Sequence, residues 1–150
     1  MNMRLFGILA LVCASVAWSA CDEKLSSVAG PTPNLEPTFA SIQHDIFEST
    51  DSSGRTPCMQ CHTNVGRNPS GGLNLAHDVA YSQLVNVPSS RLAGAVRVVP
   101  GDTTSTYLLQ KLIGTPGIVG ARMPQNGPPY LTEGQIAIIR RWVEIGAPNN

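Results

Sequence analysis

Five consecutive residues, Cys58-Met59-Gln60-Cys61-His62, constrain this chain more than any other stretch of it. The C-x-x-C-H spacing sets two thiols three positions apart and an imidazole immediately after the second. Two sulfurs so placed reach the two vinyl groups of one haem and form thioether links, while the imidazole is held under the ring and aimed at the iron. Four Cys and three His in 150 residues would produce this pattern by chance about 0.002 times. Three other chemistries compete for the same residues. A local disulfide makes no use of His62. A zinc site needs a fourth ligand, and the sequence has no second Cys pair and no H-x-x-x-H spacing. A thioredoxin-type redox pair belongs in a βαβ setting, which this pattern of helices and loops does not offer. The pentapeptide therefore predicts one covalent haem c on Cys58 and Cys61, with His62 as the first axial ligand of its iron.

The beginning of the chain sets the compartment. Arg4 precedes an apolar run over residues 5–12, followed by small residues up to Ala20, which is the layout of a signal peptide over residues 1–20. The apolar run is shorter than a membrane-spanning helix requires. Ser19 and Ala20 before Cys21 resemble the end of a bacterial lipobox, although Trp18 stands where Leu is usual. Cysteine arithmetic supports lipidation: Cys13 leaves with the signal and Cys58 and Cys61 share a motif, so Cys21 is either a lipid attachment site or an unpaired thiol in an oxidising compartment. Residues 21–37 carry Pro31, Pro33 and Pro37 among small polar residues and are expected to form a lipid-anchored flexible linker. Such a segment spans roughly 20 Å root-mean-square. The folded domain is then expected over residues 38–150.

Export leaves two methionines for the second axial position. Met59 lies between the linking cysteines and cannot cross the ring, which leaves Met123, in Gly120-Ala121-Arg122-Met123-Pro124. A thioether is a soft neutral ligand that raises the potential relative to imidazole. The plainer role for a lone Met is loop packing. His77, His44 or an open site are the alternatives. His44 falls away from the apolar stripe of its helix and His77 lies beside Asp78 at the start of a short helix, so a solvated surface role is the ordinary expectation for each.

Periodicity predicts an all-α, loop-rich domain. Phe39, Ile42 and Ile46 recur at helical spacing behind Thr38 as cap. A closing helix starts at a Thr132/Gln135 capping box, carries Ile136, Ile139, Trp142 and Val143, and stops at Gly146 and Pro148. Ile138 and Ile145 widen its apolar arc, so it is expected to be buried on two fronts, one against the first helix and one against a cofactor. Shorter helical patterns cover residues 79–85 and 105–112, and the β-branched run at 96–99 predicts a short extended stretch. The rest, above all residues 63–74 and 114–131, is loop rich in Gly and Pro. Loops this long in a small domain call for a reason such as wrapping a prosthetic group, and an aromatic content of only 5% leaves a thin core that an apolar cofactor would fill. Ten basic residues balance ten acidic ones with no basic run, which argues against nucleic-acid binding.

The first helix, the Cys58 to His62 motif, the Arg122-Met123-Pro124 loop and the closing helix together resemble the class I cytochrome c fold. Gly71-Gly72-Leu73-Asn74-Leu75, Arg97-Val98-Val99-Pro100-Gly101-Asp102 and Arg140-Arg141-Trp142-Val143 with Gly146-Ala147 are similar to the planctomycete-type cytochrome c domain. Thr103 departs from that pattern, which has Pro after the Gly-Asp turn. The resemblance implies N- and C-terminal helices crossing beside one low-spin haem, His62 proximal and Met123 distal, and passage of single electrons to redox partner proteins on the periplasmic side of an envelope membrane. A haem enzyme or small-gas sensor, with Met123 displaced from the iron, is the first rival. A non-catalytic, partner-binding lipoprotein is the second. Arg55, Arg67, Arg97 and Arg122 are candidates for the haem propionates because guanidinium pairs well with carboxylate. Tyr107 and Trp142 could donate to the same groups, although core packing is their ordinary role.

Overall fold

Thr38 begins the first helix as its sequence suggests: the backbone is extended there and the side-chain hydroxyl accepts from the Ser41 amide, satisfying one of the amides a helix start leaves free. The helix, α1, runs as α over Phe39–Ile42 and continues as a π-helical run over Gln43–Glu48 in the computed structural model, which describes residues 34–150. The signal segment, Cys21 and residues 21–33 of the linker lie outside the described residues. The three other α-helices are α2 (Ala80–Leu84), α3 (Tyr107–Ile113) and α4 (Glu133–Glu144), with single 3-10 turns at Cys58–Gln60 and Ser70–Gly72. Helix makes up 34% of the described residues and no strand forms among them, so the described chain is all-helical and loop-rich.

Ile42, Gln43, Ile46 and Phe47 are all buried, two adjacent pairs that share one side of the helix as i, i+1, i+4 and i+5 neighbours do. Phe39 and Phe47 meet edge to face at 6.5 Å, Phe39 and Tyr81 at 5.2 Å, and Phe39 reaches Trp142 of α4 at 5.6 Å. These contacts join the two ends of the chain through aromatic area that carries much of a small core.

Helix α4 opens on the expected box. The Thr132 hydroxyl accepts from the Gln135 amide at 3.2 Å and the Thr132 amide donates to Gln135 Oε1 at 3.0 Å. Ile139, Trp142 and Val143 are fully buried, Ile136 and Ile138 are half-buried against the core, and Ile145, beyond the last turn, is 45% exposed. The inward arc is thus narrower than its sequence suggests, because Gly146 at φ 97 turns the chain away. The tail then returns to α1: the Ala40 amide donates to Asn150 O at 2.8 Å and Trp142 Nε1 donates to Pro148 O at 2.9 Å.

Two local outcomes differ from the sequence pattern. The valines at 96–99 make isolated bridges, such as Val85 with Val98 and Val96 with Thr106, and no ladder, because no neighbour of strand length runs beside them. The packed chain also starts before residue 38. Leu35, flanked by polar Asn34 and Glu36 in the linker, is only 8% exposed and belongs to the core cluster.

Candidate functional site

The first turn of the motif is a 3-10 turn, Cys58–Gln60, closed by the Cys61 amide donating to Cys58 O at 3.2 Å, and the His62 amide donates to the same carbonyl at 2.9 Å. Cys58 and Cys61 are unjoined thiols, Cys58 half-buried and Cys61 exposed. Burial pushes the Cys58 thiol pKa up, with nearby Arg55 working in the opposite direction. It therefore stays protonated and donates a long hydrogen bond to Ile46 O in α1, 3.6 Å away.

His62 is oriented by the loop that follows it. Its Nδ1 lies 2.9 Å from Ser70 O, and a carbonyl can only accept, so Nδ1 carries the proton and Nε2 keeps its lone pair. Burial pulls the His62 pKa below 6.5, with Arg97 and Lys111 adding in the same direction against backbone hydrogen bonds that raise it. The ring is thereby held neutral, the form that binds metals. Around it the Ser70 amide donates to Cys61 O at 3.0 Å and the Leu75 amide to His62 O at 2.9 Å. The turn that delivers Ser70 O needs Gly71 and Gly72, at φ 61 and 62, a conformation Gly adopts without a Cβ penalty. A Cβ on Gly72 would also stand 3.2 Å from Ser90 Oγ.

Met123 sits at the end of the 114–122 loop, half-buried against the core. Its amide donates to Lys111 O in the last turn of α3 at 2.8 Å. The neighbouring Arg122 donates through Nε to Leu112 O at 2.7 Å and lays its guanidinium 4.1 Å from the Tyr130 ring centroid. Gly114, the left-handed cap of α3 at φ 82, passes so close to Arg122 that a Cβ would meet its side chain at 3.1 Å. Helix α3 thus carries the Met123 loop, and its Lys111 is near enough to His62 to disfavour protonation of the ring.

The other histidines stand elsewhere. The His44 side chain is 76% exposed and pairs with Asp45 at 2.9 Å, which raises its pKa through that hydrogen bond. His77 is 72% exposed and pairs with Glu48 at 3.0 Å. Neither touches the Cys58–His62 turn. Among the described residues no cluster of three or more His, Cys, Asp or Glu could hold a metal ion.

The four arginines separate by environment. Arg67 bonds Gln60 O at the surface. Arg55 is fully buried, donating to Asp51 Oδ2 at 3.0 Å and to the Thr56 and Ser49 carbonyls at 3.3 Å each. Sequence reasoning missed this pair, whose i,i+4 spacing falls in a Ser/Gly loop where it signals nothing. Desolvation works against the Asp51 carboxylate, yet hydrogen bonds from Ser53, Arg55 and Gln135 hold its pKa below 3.8. A depressed acid stabilises the fold above the unfolded value and ceases to do so as pH falls through the folded one, so this contribution is lost as pH falls below the usual carboxylate range. Removing one member of a buried pair strands the other, at about 3–5 kcal/mol. Arg55→Ala is expected to lower stability by that amount in urea titration at pH 7, and a loss under about 1 kcal/mol would show the pair to be solvated.

Arg97 is the remaining buried guanidinium, 8% exposed. It donates to Gln83 O at 2.7 Å and Gly72 O at 3.0 Å and meets no carboxylate among the described residues. Tyr107 and Trp142 are both spent within the core, Tyr107 accepting at its hydroxyl from the Val119 amide at 3.0 Å and Trp142 donating to Pro148 O.

Two shallow hollows open on the surface of the described residues. One is lined by Ile113, Arg122, Ile136 and Arg140, the other by Phe39, Gln43, His77 and Asn150. Neither includes Cys58, Cys61, His62 or Met123. Cys58, Leu73, Leu108, Met123 and Ile136 are among the partly buried apolar side chains that pack against the core. Two free thiols, an imidazole presenting Nε2 and a thioether make a donor set whose chemistry fits a covalently attached haem. No model of a known protein family matches the chain, and neither a curated protein nor a solved structure resembles it closely enough to count as a match.

Proposed function

We propose that the chain is a mono-haem c-type cytochrome of class I type that carries single electrons on the exported side of a membrane, tethered through lipid on Cys21. The observation that carries this reading is the His62 ring: Ser70 O accepts from its Nδ1–H, so Nε2 keeps a free lone pair for a metal, one residue beyond the second of two unjoined thiols. A backbone carbonyl partner of this kind fixes the tautomer and aim of metal-bound imidazoles. Bound haem supplies a one-electron iron couple. Cys58 and Cys61 would hold it covalently, His62 and Met123 would ligate its iron, and the partly buried apolar side chains would shield it from water. Arg97 is the guanidinium best placed to take a propionate, because it is buried without a carboxylate of its own. Export and lipidation rest on the sequence around Arg4, Ser19 and Cys21.

With both axial positions filled by protein, no site is left for a substrate or gas, and exchange through the haem edge is the activity that remains. The ferric holoprotein is expected to show the weak near-infrared band of methionine ligation, and its ferrous form to ignore carbon monoxide. A high-spin spectrum that responds to peroxide or carbon monoxide would favour the haem enzyme or gas sensor instead.

A further inference from the structure

We propose that Lys111 is a positioning residue for the Met123 thioether, clamping the loop that presents it. The inference rests on Met123 as an axial ligand and adds a residue that nothing in the sequence marks. The Lys111 ammonium donates to two carbonyls of the 114–122 loop, Val119 O at 2.8 Å and Ala121 O at 2.6 Å. The carbonyl of the same residue accepts the Met123 amide at 2.8 Å. One lysine therefore grips the loop from both its side chain and its backbone, and Arg122 on Leu112 O and Val119 on the Tyr107 hydroxyl add anchors from the same helix.

The loop needs such a grip. It contains Gly114, Gly117 and Gly120, all at positive φ, and glycine-rich chain loses the most conformational freedom on being fixed. Lys111 makes no ion pair among the described residues, so its charge is spent on carbonyl oxygens of this loop alone. Fixing a long flexible side chain costs entropy, and hydrogen bonds from a charged donor are the kind strong enough to offset it. A ligand loop that is ordered only part of the time binds iron with an affinity reduced by that fraction, so the clamp raises the share of molecules with sulfur on iron.

The test is competition at the ferric iron of the full-length holoprotein, with free imidazole as the probe. Each hydrogen bond lost from a charged donor should be worth about tenfold. Lys111→Met, which keeps the stem and removes the ammonium, is expected to bind imidazole at least about tenfold more tightly than the unmodified protein and to show a weakened near-infrared band, with haem content unchanged. Lys111→Gln, whose amide can still donate to both carbonyls without charge, should fall between the two. It carries the test if Lys111→Met does not accumulate. In a Met123→Ala background the native thioether is gone, so Lys111→Gln, which unlike Lys111→Met brings no sulfur of its own, should leave imidazole affinity as it is. That null separates positioning from a general loosening of the fold. Haem-bearing Lys111 variants with the unmodified band and imidazole affinity would overturn the proposal. A near-infrared band absent from the unmodified protein would refute ligation by Met123 itself, which is a different failure.

Discussion

Replacing Cys58 and Cys61 together by Ala is expected to abolish covalent haem entirely and to leave a chain without a cooperative thermal transition, even when the variant is matured beside a haem-attachment system. Loss of the thioether links removes the anchor, and His62 and Met123 alone must then recruit haem from solution. The apolar side chains left uncovered have a cost that can be bounded. Leu73, Leu108, Met123 and Ile136 are partly buried against the core. Full burial of such a side chain contributes about 1.5–3 kcal/mol, so covering what remains exposed, at most about a third of each, adds no more than roughly 2–4 kcal/mol in total. Net stabilities of small domains are about 5–15 kcal/mol, so the domain would forfeit part of its margin on this count alone. Circular dichroism melting of the double variant decides the point. A sharp transition at the temperature of the unmodified protein would show that the polypeptide core suffices and would favour a structural or partner-binding lipoprotein.

Met123→Ala should spare the thioether links and change the iron. The ferric near-infrared band disappears, ferrous iron binds carbon monoxide, and the midpoint potential falls on the order of 0.1–0.3 V, part of the roughly 0.8 V range over which axial ligands move haem potentials. The fall follows because the soft, neutral thioether favours the ferrous state. Redox titration with haem content measured on the same sample separates this from poor maturation. A potential and spectrum unaltered by the substitution would take Met123 off the iron and return it to loop packing.

The ends of the chain are the parts most legible in sequence. Thr38 and the Thr132/Gln135 box name helix starts through hydrogen bonds that local spacing dictates, and Phe39, Ile42, Ile139 and Trp142 name buried faces through periodicity. The π run in α1 was not legible, because the inward turn of Gln43 is met by Leu75 O, far along the chain, and that of Phe47 by the Phe39 ring, contacts that only the folded core sets up. Leu35 was hidden by its polar neighbours for a similar reason, since burial of an apolar residue between polar ones is decided by the surface it meets. At the site, the Cys58 to His62 spacing carries its own signal, and Gly71 and Gly72 announce a tight turn. That this turn aims Ser70 O at His62 is a long-range outcome of loop closure. The Lys111 grip on Val119 and Ala121 and the burial of Arg97 leave no trace in spacing or composition, because both depend on where a loop lands.

Everything rests on the thiols of Cys58 and Cys61 carrying haem, and intact mass of the purified, denatured protein, paired with a pyridine haemochrome spectrum, tests that most directly. One haem per chain that survives denaturation and acid extraction is the predicted result. A colourless protein at the mass of the bare polypeptide, despite competent maturation machinery and ample iron, would contradict it.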